Sequence, residues 1–384
     1  MNCPAAGKCG ACTLLGAGYA EQIERKRAEV ERLLRGCGIR SEVHPVAGMA
    51  EPCNYRNKVI ANISMKGGRI SYGMYEENTH RVVYAPRCLL QNKVLNEVMA
   101  GLKEEMDRLH IQAYGFGGVL KQVLLRIGVS TGQVLVVFVT SQDLFPGRAE
   151  LVKRIVARFR CVKSIVQNTN FRDTSVVLSD REKVLYGPGF IVDDILGVRF
   201  KISSRSFYQV NPLQTEVLYS KAIELAAPSA GTRVFDAYCG IGTIGLCAAA
   251  RTGCSVIGVE INRDAVRDAV TNARHTIIQS DGPDAGRPVD ARFYCADVKQ
   301  FMRDFDFPVD VLILDPPRDG CDAAFLQSVR KLAPEKIVYI SCNPATQARD
   351  VAALSGLYSV GDAWPVDMFP HTAHIENIIS LCRR

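Results

Sequence analysis

No apolar run in this 384-residue chain approaches the roughly 18 consecutive residues a membrane-spanning helix needs. The opening MNCPAAGKCGACTLLGAG also lacks the basic-then-apolar order of a signal peptide. These absences lead us to expect a cytoplasmic protein with no membrane contact. Internal repeats and low-complexity tracts are missing too, which argues against solenoid and disordered classes. An excess of acid is absent as well: the formal charge is +7, with 47% hydrophobic and 23% charged residues. A globular chain of this length implies about two domains. The charge is unevenly spread, with 30 Lys+Arg against 19 Asp+Glu through Arg205 and 17 against 21 beyond it. A net +11 half suits a polyanion, because basic surfaces bind phosphate backbones by releasing counterions, although solvated surface charge reads the same way.

Fourteen cysteines are present, and a reducing compartment would leave most of them as small core residues. Cys3, Cys9 and Cys12 stand apart in a C-x5-C-x2-C pattern, with an isolated Cys88 further on in APRCLL. Converging thiolates suit zinc or an iron–sulfur cluster, and spacing alone does not choose. The C-x3-C-x2-C spacing of radical enzymes is absent.

Residues 19–38 read as an amphipathic helix with Ile23, Val30, Leu33 and Leu34 on one face, stopped by Gly36 and Gly38. From 40 to 204, short β-rich runs alternate with turns (KVIANISM, RISYGMY, VLLRIGVS, QVLVVFVT, SIVQNTN, TSVVLSD, GFIVDDILGVRFKIS), with helices near 89–109 and 147–159. An antiparallel sheet with helices is expected there, as a separate α+β domain. Over 205–384 the pattern becomes strand, turn, helix in rotation, ending in IENIISL, and QSDGPDAGRPVD at 279–290 reads as a loop. That rotation predicts an α/β domain with a doubly wound, mostly parallel sheet.

Its first strand ends in Asp236 and runs into Cys239-Gly240-Ile241-Gly242-Thr243-Ile244-Gly245. Such glycines let the backbone turn tightly toward a ligand at a helix N-terminus, but dinucleotide enzymes share the pattern, and Glu260 ending the next strand suits any ribose. The later order is more telling: Asp297 after a third strand, then VLILDPP ending in Asp315-Pro316-Pro317. The series resembles the class I S-adenosylmethionine methyltransferases, a resemblance that implies a Rossmann-like domain. It puts the glycine turn by the methionine moiety, Glu260 on the ribose, Asp297 near the adenine and Asp315 beside the methyl; a helix cap is the alternative for Asp297.

Amino-group methyltransferases often follow Pro-Pro with an aromatic residue that stacks on the base, whereas Arg318 follows here. The next strand ends in Ser341-Cys342-Asn343-Pro344, placing a thiol where open α/β sheets keep their active sites. Carbon 5 of uracil needs such a thiol, since it becomes nucleophilic only after a thiolate adds to carbon 6. A base must then remove the carbon-5 proton. Glu376, a lone carboxylate at the start of an apolar run, can have a raised pKa and serve.

With both placed, the sequence resembles the RNA uracil-5-methyltransferases. The similar segments are Ser206-Phe207-Tyr208-Gln209-Val210-Asn211, Asp236 to Thr243, Asp315 to Arg318, Ser341 to Thr346 and Phe369-Pro370-His371-Thr372 through Glu376. The resemblance implies Cys342 as nucleophile, Glu376 as general base, and Gln209, Tyr238, Glu260 and Asp315 as S-adenosylmethionine contacts. Thr243 is a further candidate contact, with Gly240 and Gly242 through their backbone; His371 and His374 are expected to be structural. Ribosomal-RNA members carry the same cysteine spacing around a [4Fe–4S] cluster, which implies Cys3, Cys9, Cys12 and Cys88 as its ligands within 1–18 and the 40–204 domain. It also implies a loop uridine of 23S ribosomal RNA as substrate, with tRNA as the alternative. A cytosine-5 methyltransferase would need a second cysteine where Arg318 stands, and an iron–sulfur RNA-binding protein without activity would leave Cys342 and Glu376 unexplained. Some relatives carry a five-stranded RNA-binding barrel ahead of the cysteine motif, with which the sequence as given opens, so RNA contact is expected from the basic half through Arg56 and Lys58, and from Phe207 or Tyr208 stacking on a flipped base. No obligate protein partner is implied, and a monomer is expected.

Overall fold

A computed structural model describes residues 3, 5–280, 282–304 and 308–384. Positions 1, 2 and 4 of the expected cysteine segment and 281 of the expected polar loop lie outside them. The chain divides into two compact units. The first holds residues 1–16, 52–194 and 201–205; the second holds 17–51, 195–200 and 206–384.

The second unit begins with α1 (Tyr19–Gly36). Its buried stripe is Gln22, Lys26, Val30 and Leu34, while Ile23 and Leu33 are only partly buried. The stripe therefore starts with two polar residues, which apolar periodicity does not register. The chain then runs extended, and Val43 and Ala47 make parallel bridges to Ala363 and Val366. Val43 and Val46 join the second unit's core. Segment 40–51, expected with the central domain, thus belongs to the second unit.

The first unit contains β1 (Lys58–Lys66), β2 (Arg69–Tyr75), β3 (Val82–Tyr84), α2 (Lys93–Arg108), β4 (Leu120–Ile127), β5 (Val134–Thr140), α3 (Arg148–Arg158), β6 (Val162–Thr169) and β7 (Glu182–Tyr186). Its strands form one sheet in the order β3-β2-β1-β4-β5-β6-β7, antiparallel except for the parallel pair β5–β6. Alternate residues such as Val59, Ala61, Ile63, Val123 and Leu125 share a core with Leu95, Val98, Met99 and Leu102 of α2. The run TSVVLSD forms no strand: Asn170 Nδ2 donates to the carbonyls of Val176 and Val177, and Val176 is exposed. GFIVDDILGVRFKIS folds as the two strands β8 (Phe190–Ile195) and β9 (Val198–Ser203).

The rest of the second unit follows as α4 (Pro212–Ala226), β10 (Arg233–Ala237), α5 (Thr243–Thr252), β11 (Ser255–Glu260), α6 (Arg263–His275), β12 (Ala291–Cys295), α7 (Val298–Asp304), β13 (Val311–Leu314), α8 (Ala323–Leu332), β14 (Lys336–Ser341), α9 (Pro344–Leu354), β15 (Tyr358–Val366) and β16 (Glu376–Arg383). Its sheet order is β12-β11-β10-β13-β14-β16-β15, with β16 antiparallel to both neighbours. The order reverses at β10, so the carboxyl ends of β10, β11 and β13 open one crevice. The expected Rossmann-like sheet is present. Among the described residues no helix is long and apolar enough to cross a membrane.

Candidate active site

The crevice is built from backbone geometry that few residues tolerate. Gly240 and Gly242 have φ of 56° and 80°, and Tyr238 is left-handed at 65°, unusual for a bulky residue. A side chain at Gly242 would meet the Phe293 ring at 2.7 Å. Asp236 Oδ2 accepts from Gly245 N at 3.0 Å and fixes the first turn of α5. Burial pushes that carboxyl up to about 7. Glu260 ties two loops together, accepting from Gly240 N at 3.2 Å and Asn262 N at 2.7 Å. Thr243 pairs its hydroxyl with Tyr219 at 2.9 Å, and Gln209 is buried just before α4. Asp297 accepts from Lys299 N and Gln300 N, so it caps α7.

The second half of the site comes from the sheet's register. Ser341 pairs with Asn377 across β14 and β16, so Cys342, one residue past β14, and Glu376, which opens β16, come at neighbouring strand ends, where the charge of Glu376 acts on the thiol. Local sequence fixes the thiol's place: Asn343 caps α9 by accepting from Ala345 N at 3.2 Å, and Pro344 opens the helix. Burial pushes the Cys342 thiol up, helped by the negative charge of Glu376, while Arg318 opposes both by charge and by a hydrogen bond. Burial and the nearby Asp315 hold Glu376 well above the usual carboxylate range, against the pull of Arg318. Asp315, also raised by burial to about 7, completes the group. Arg318 is thus the cation that faces both the thiol and the carboxylate. The sequence placed it in the Asp-Pro-Pro-Arg motif but offered no signal of this role.

A family model for tRNA (uracil-5-)-methyltransferases matches residues 190–384. The chain belongs to the S-adenosylmethionine-dependent RNA (uracil-5-)-methyltransferases. An uncharacterised RNA methyltransferase of Halalkalibacterium halodurans is 40% identical over 99% of this chain and 82% of its own length. Another, from Clostridium tetani, is 39% identical over 97% and 80%. The crystal structure of the Pyrococcus abyssi tRNA (uracil-54, C5)-methyltransferase with S-adenosyl-L-homocysteine superposes with a TM-score of 0.79 at 29% identity, covering 98% of this chain and 86% of that one.

Within the first unit, Cys3, Cys9, Cys12 and Cys88 all line one cavity of about 340 Å³. Burial and then the other three thiols push Cys12 up to about 11, and Arg56 acts in the opposite sense. Cys53 does not line the cavity, and Cys37 is exposed. Lys58 lies opposite Arg126 across β1 and β4, and burial together with that arginine pushes its ammonium down to about 8. Phe207 is 62% exposed, whereas Tyr208 is buried, so of the two aromatics only Phe207 presents its ring to solvent.

Proposed function

We propose that this enzyme forms 5-methyluridine in 23S ribosomal RNA, with Cys342 as nucleophile and Glu376 as general base. The observation that supports the chemistry is the antiparallel pairing of β14 and β16, which brings the strand ends carrying Cys342 and Glu376 together, with Arg318 acting on both by its charge. When bound, S-adenosylmethionine supplies an electrophilic methyl group on a positively charged sulfur. Gln209, Tyr238, Glu260 and Asp315, with the Gly240 and Gly242 backbone and Thr243, would hold it.

The Cys342 thiolate adds to carbon 6 of the uracil, and the carbon 5–carbon 6 π pair moves out to oxygen 4 as an enolate. Carbon 5 then takes the methyl group as its bond to sulfur breaks, the electron pair staying on that sulfur. Glu376 removes the carbon-5 proton, the double bond re-forms, and the Cys342 thiolate leaves. A carboxylate held above its ordinary range is the stronger base once ionised, which suits proton removal from carbon. Arg318 favours the thiolate both before addition and on expulsion.

The four cysteines around the first unit's cavity fit a [4Fe–4S] cluster: a positively charged metal core would offset the burial, and after it the mutual repulsion of thiolates, that raise Cys12. Cys3, Cys9, Cys12 and Cys88 would hold it. Bound there, it would tie the N-terminal cysteines to Cys88, and no redox step is asked of it, since methyl transfer needs no electrons. This cysteine set supports ribosomal RNA. The tRNA reading is favoured by the activity named for the Pyrococcus abyssi structure. RNA contact is assigned to Arg56, Lys58 and the exposed ring of Phe207.

The test uses purified enzyme with 23S and tRNA transcripts and tritiated S-adenosylmethionine. Cys342→Ala is expected to lose methylation while still binding S-adenosylmethionine. Glu376→Gln is expected to methylate once and remain attached to RNA. Turnover by Cys342→Ala, or no trapped adduct with Glu376→Gln, removes the corresponding assignment.

A further inference from the structure

Glu376 Oε2 is buried with no hydrogen-bond partner among the described residues. The direction of that carboxylate must therefore be set largely by the backbone that delivers it to β16. That backbone is the segment from Asp367 to Ile375, between β15 and β16. One face of α1 grips it. Tyr19, Gln22 and Lys26 are spaced three and four apart, so they line up along the helix.

Tyr19 donates its hydroxyl to Asp367 Oδ2 at 2.9 Å. Lys26 Nζ donates to Asp367 Oδ1 at 2.6 Å and to the Phe369 carbonyl at 3.1 Å, in an ion pair whose side chains are 2% and 0% exposed. Gln22 uses both ends of its amide on His371: Oε1 accepts from His371 N at 3.0 Å, and Nε2 pairs with Nδ1 at 3.2 Å. His371 is left-handed, with φ of 68°. A non-glycine residue adopts that conformation at a cost and keeps it only where surrounding contacts enforce it. Gln22 and Lys26 are themselves fully or almost fully buried, so these polar groups occupy the helix positions where an apolar stripe would serve packing better.

We propose that Gln22 and Lys26 of α1 are positioning residues for the catalytic base, holding the Asp367–Ile375 segment so that the Glu376 carboxylate meets the carbon-5 proton. This rests on Glu376 being the base. It predicts a kinetic signature that simple loss of stability lacks. Addition and methyl transfer precede the step Glu376 performs, so a misdirected carboxylate stalls the enzyme after methylation, joined to its RNA.

The experiment compares Gln22→Leu, the paired replacement Lys26→Met with Asp367→Asn, and Glu376→Gln in the full chain. The paired replacement leaves no orphaned buried charge, and Gln22→Leu leaves the ion pair intact, so the two perturb the grip independently. Each is assayed on whichever of the 23S and tRNA transcripts the wild type methylates. Both α1 variants are expected to lower kcat at least tenfold, with the KM for RNA and the affinity for S-adenosylmethionine within twofold of wild type. Both should also accumulate a denaturation-resistant enzyme–RNA adduct carrying the tritiated methyl group. If Glu376→Gln traps this adduct and the folded α1 variants do not, the positioning role is overturned while the base stands. If Glu376→Gln traps none, the base assignment falls first. A variant that no longer binds S-adenosylmethionine counts against positioning, because it shows α1 holding the unit's fold instead.

Discussion

Three side chains from separate elements carry the proposed chemistry: Cys342 after β14, Glu376 at the start of β16 and Arg318 after β13. The cysteine and the carboxylate were legible in the sequence, because each is a lone reactive group beside an apolar strand. Arg318 was not, since a cation after Pro-Pro gains meaning only when the fold turns it toward the thiol. Its effect on Cys342 has a definite sign. Burial and Glu376 raise the thiol above its ordinary value and Arg318 lowers it, so losing the guanidinium raises it further and reduces the thiolate present at neutral pH. Adduct formation in single-turnover reactions, followed from pH 6.5 to 9.5 in the Glu376→Gln background, is expected to rise with pH as the thiol ionises. Arg318→Met should move that rise to higher pH, with about tenfold less adduct formed at pH 7.5 for each unit of displacement and partial recovery near pH 9. A profile that stays in place would remove Arg318 from thiolate stabilisation.

Among the elements, those with a clean period were readable and those whose role depends on a distant partner were not. The rotation of strand, turn and helix after Arg205 appears in the fold, as do the helices near 89–109 and 147–159. Strand β15 escaped notice because YSVGDAWPV holds Gly361, Asp362 and Pro365, and its pairing with β16 shifts register between Val360 and Ala363. Helix α1 was recognised as a helix, yet its buried face could not be read, because Gln22 and Lys26 look like solvent-facing positions until Asp367 and His371 meet them. The cysteine segment is the element with the sharpest external test. Protein purified without oxygen is expected to absorb broadly near ~400 nm, and Cys88→Ser should lose most of its bound iron. Because the four cysteines belong to the first unit and the crevice to the second, that variant should keep its affinity for S-adenosylmethionine. A colourless wild-type protein containing zinc would reassign the site.

For the whole molecule, the open question is which RNA enters. Family membership fixes the reaction class, but the two lines that bear on substrate point apart. The cysteine set matches the pattern of ribosomal-RNA members, while the Pyrococcus abyssi enzyme that superposes over nearly all of this chain acts on tRNA by its name. Electrostatics do not separate them, since a net +11 through Arg205 attracts any phosphate backbone. The lesion must therefore be read in the product. Ribosomal RNA and tRNA from a strain lacking this gene would be digested and their 5-methyluridine mapped by mass spectrometry. We expect a loss confined to 23S ribosomal RNA that is restored by the wild-type gene and not by Cys342→Ala. A loss confined to tRNA would replace the ribosomal reading with the tRNA one and leave the proposed covalent mechanism untouched, because the roles proposed for Cys342 and Glu376 concern the uracil ring, which is the same in both.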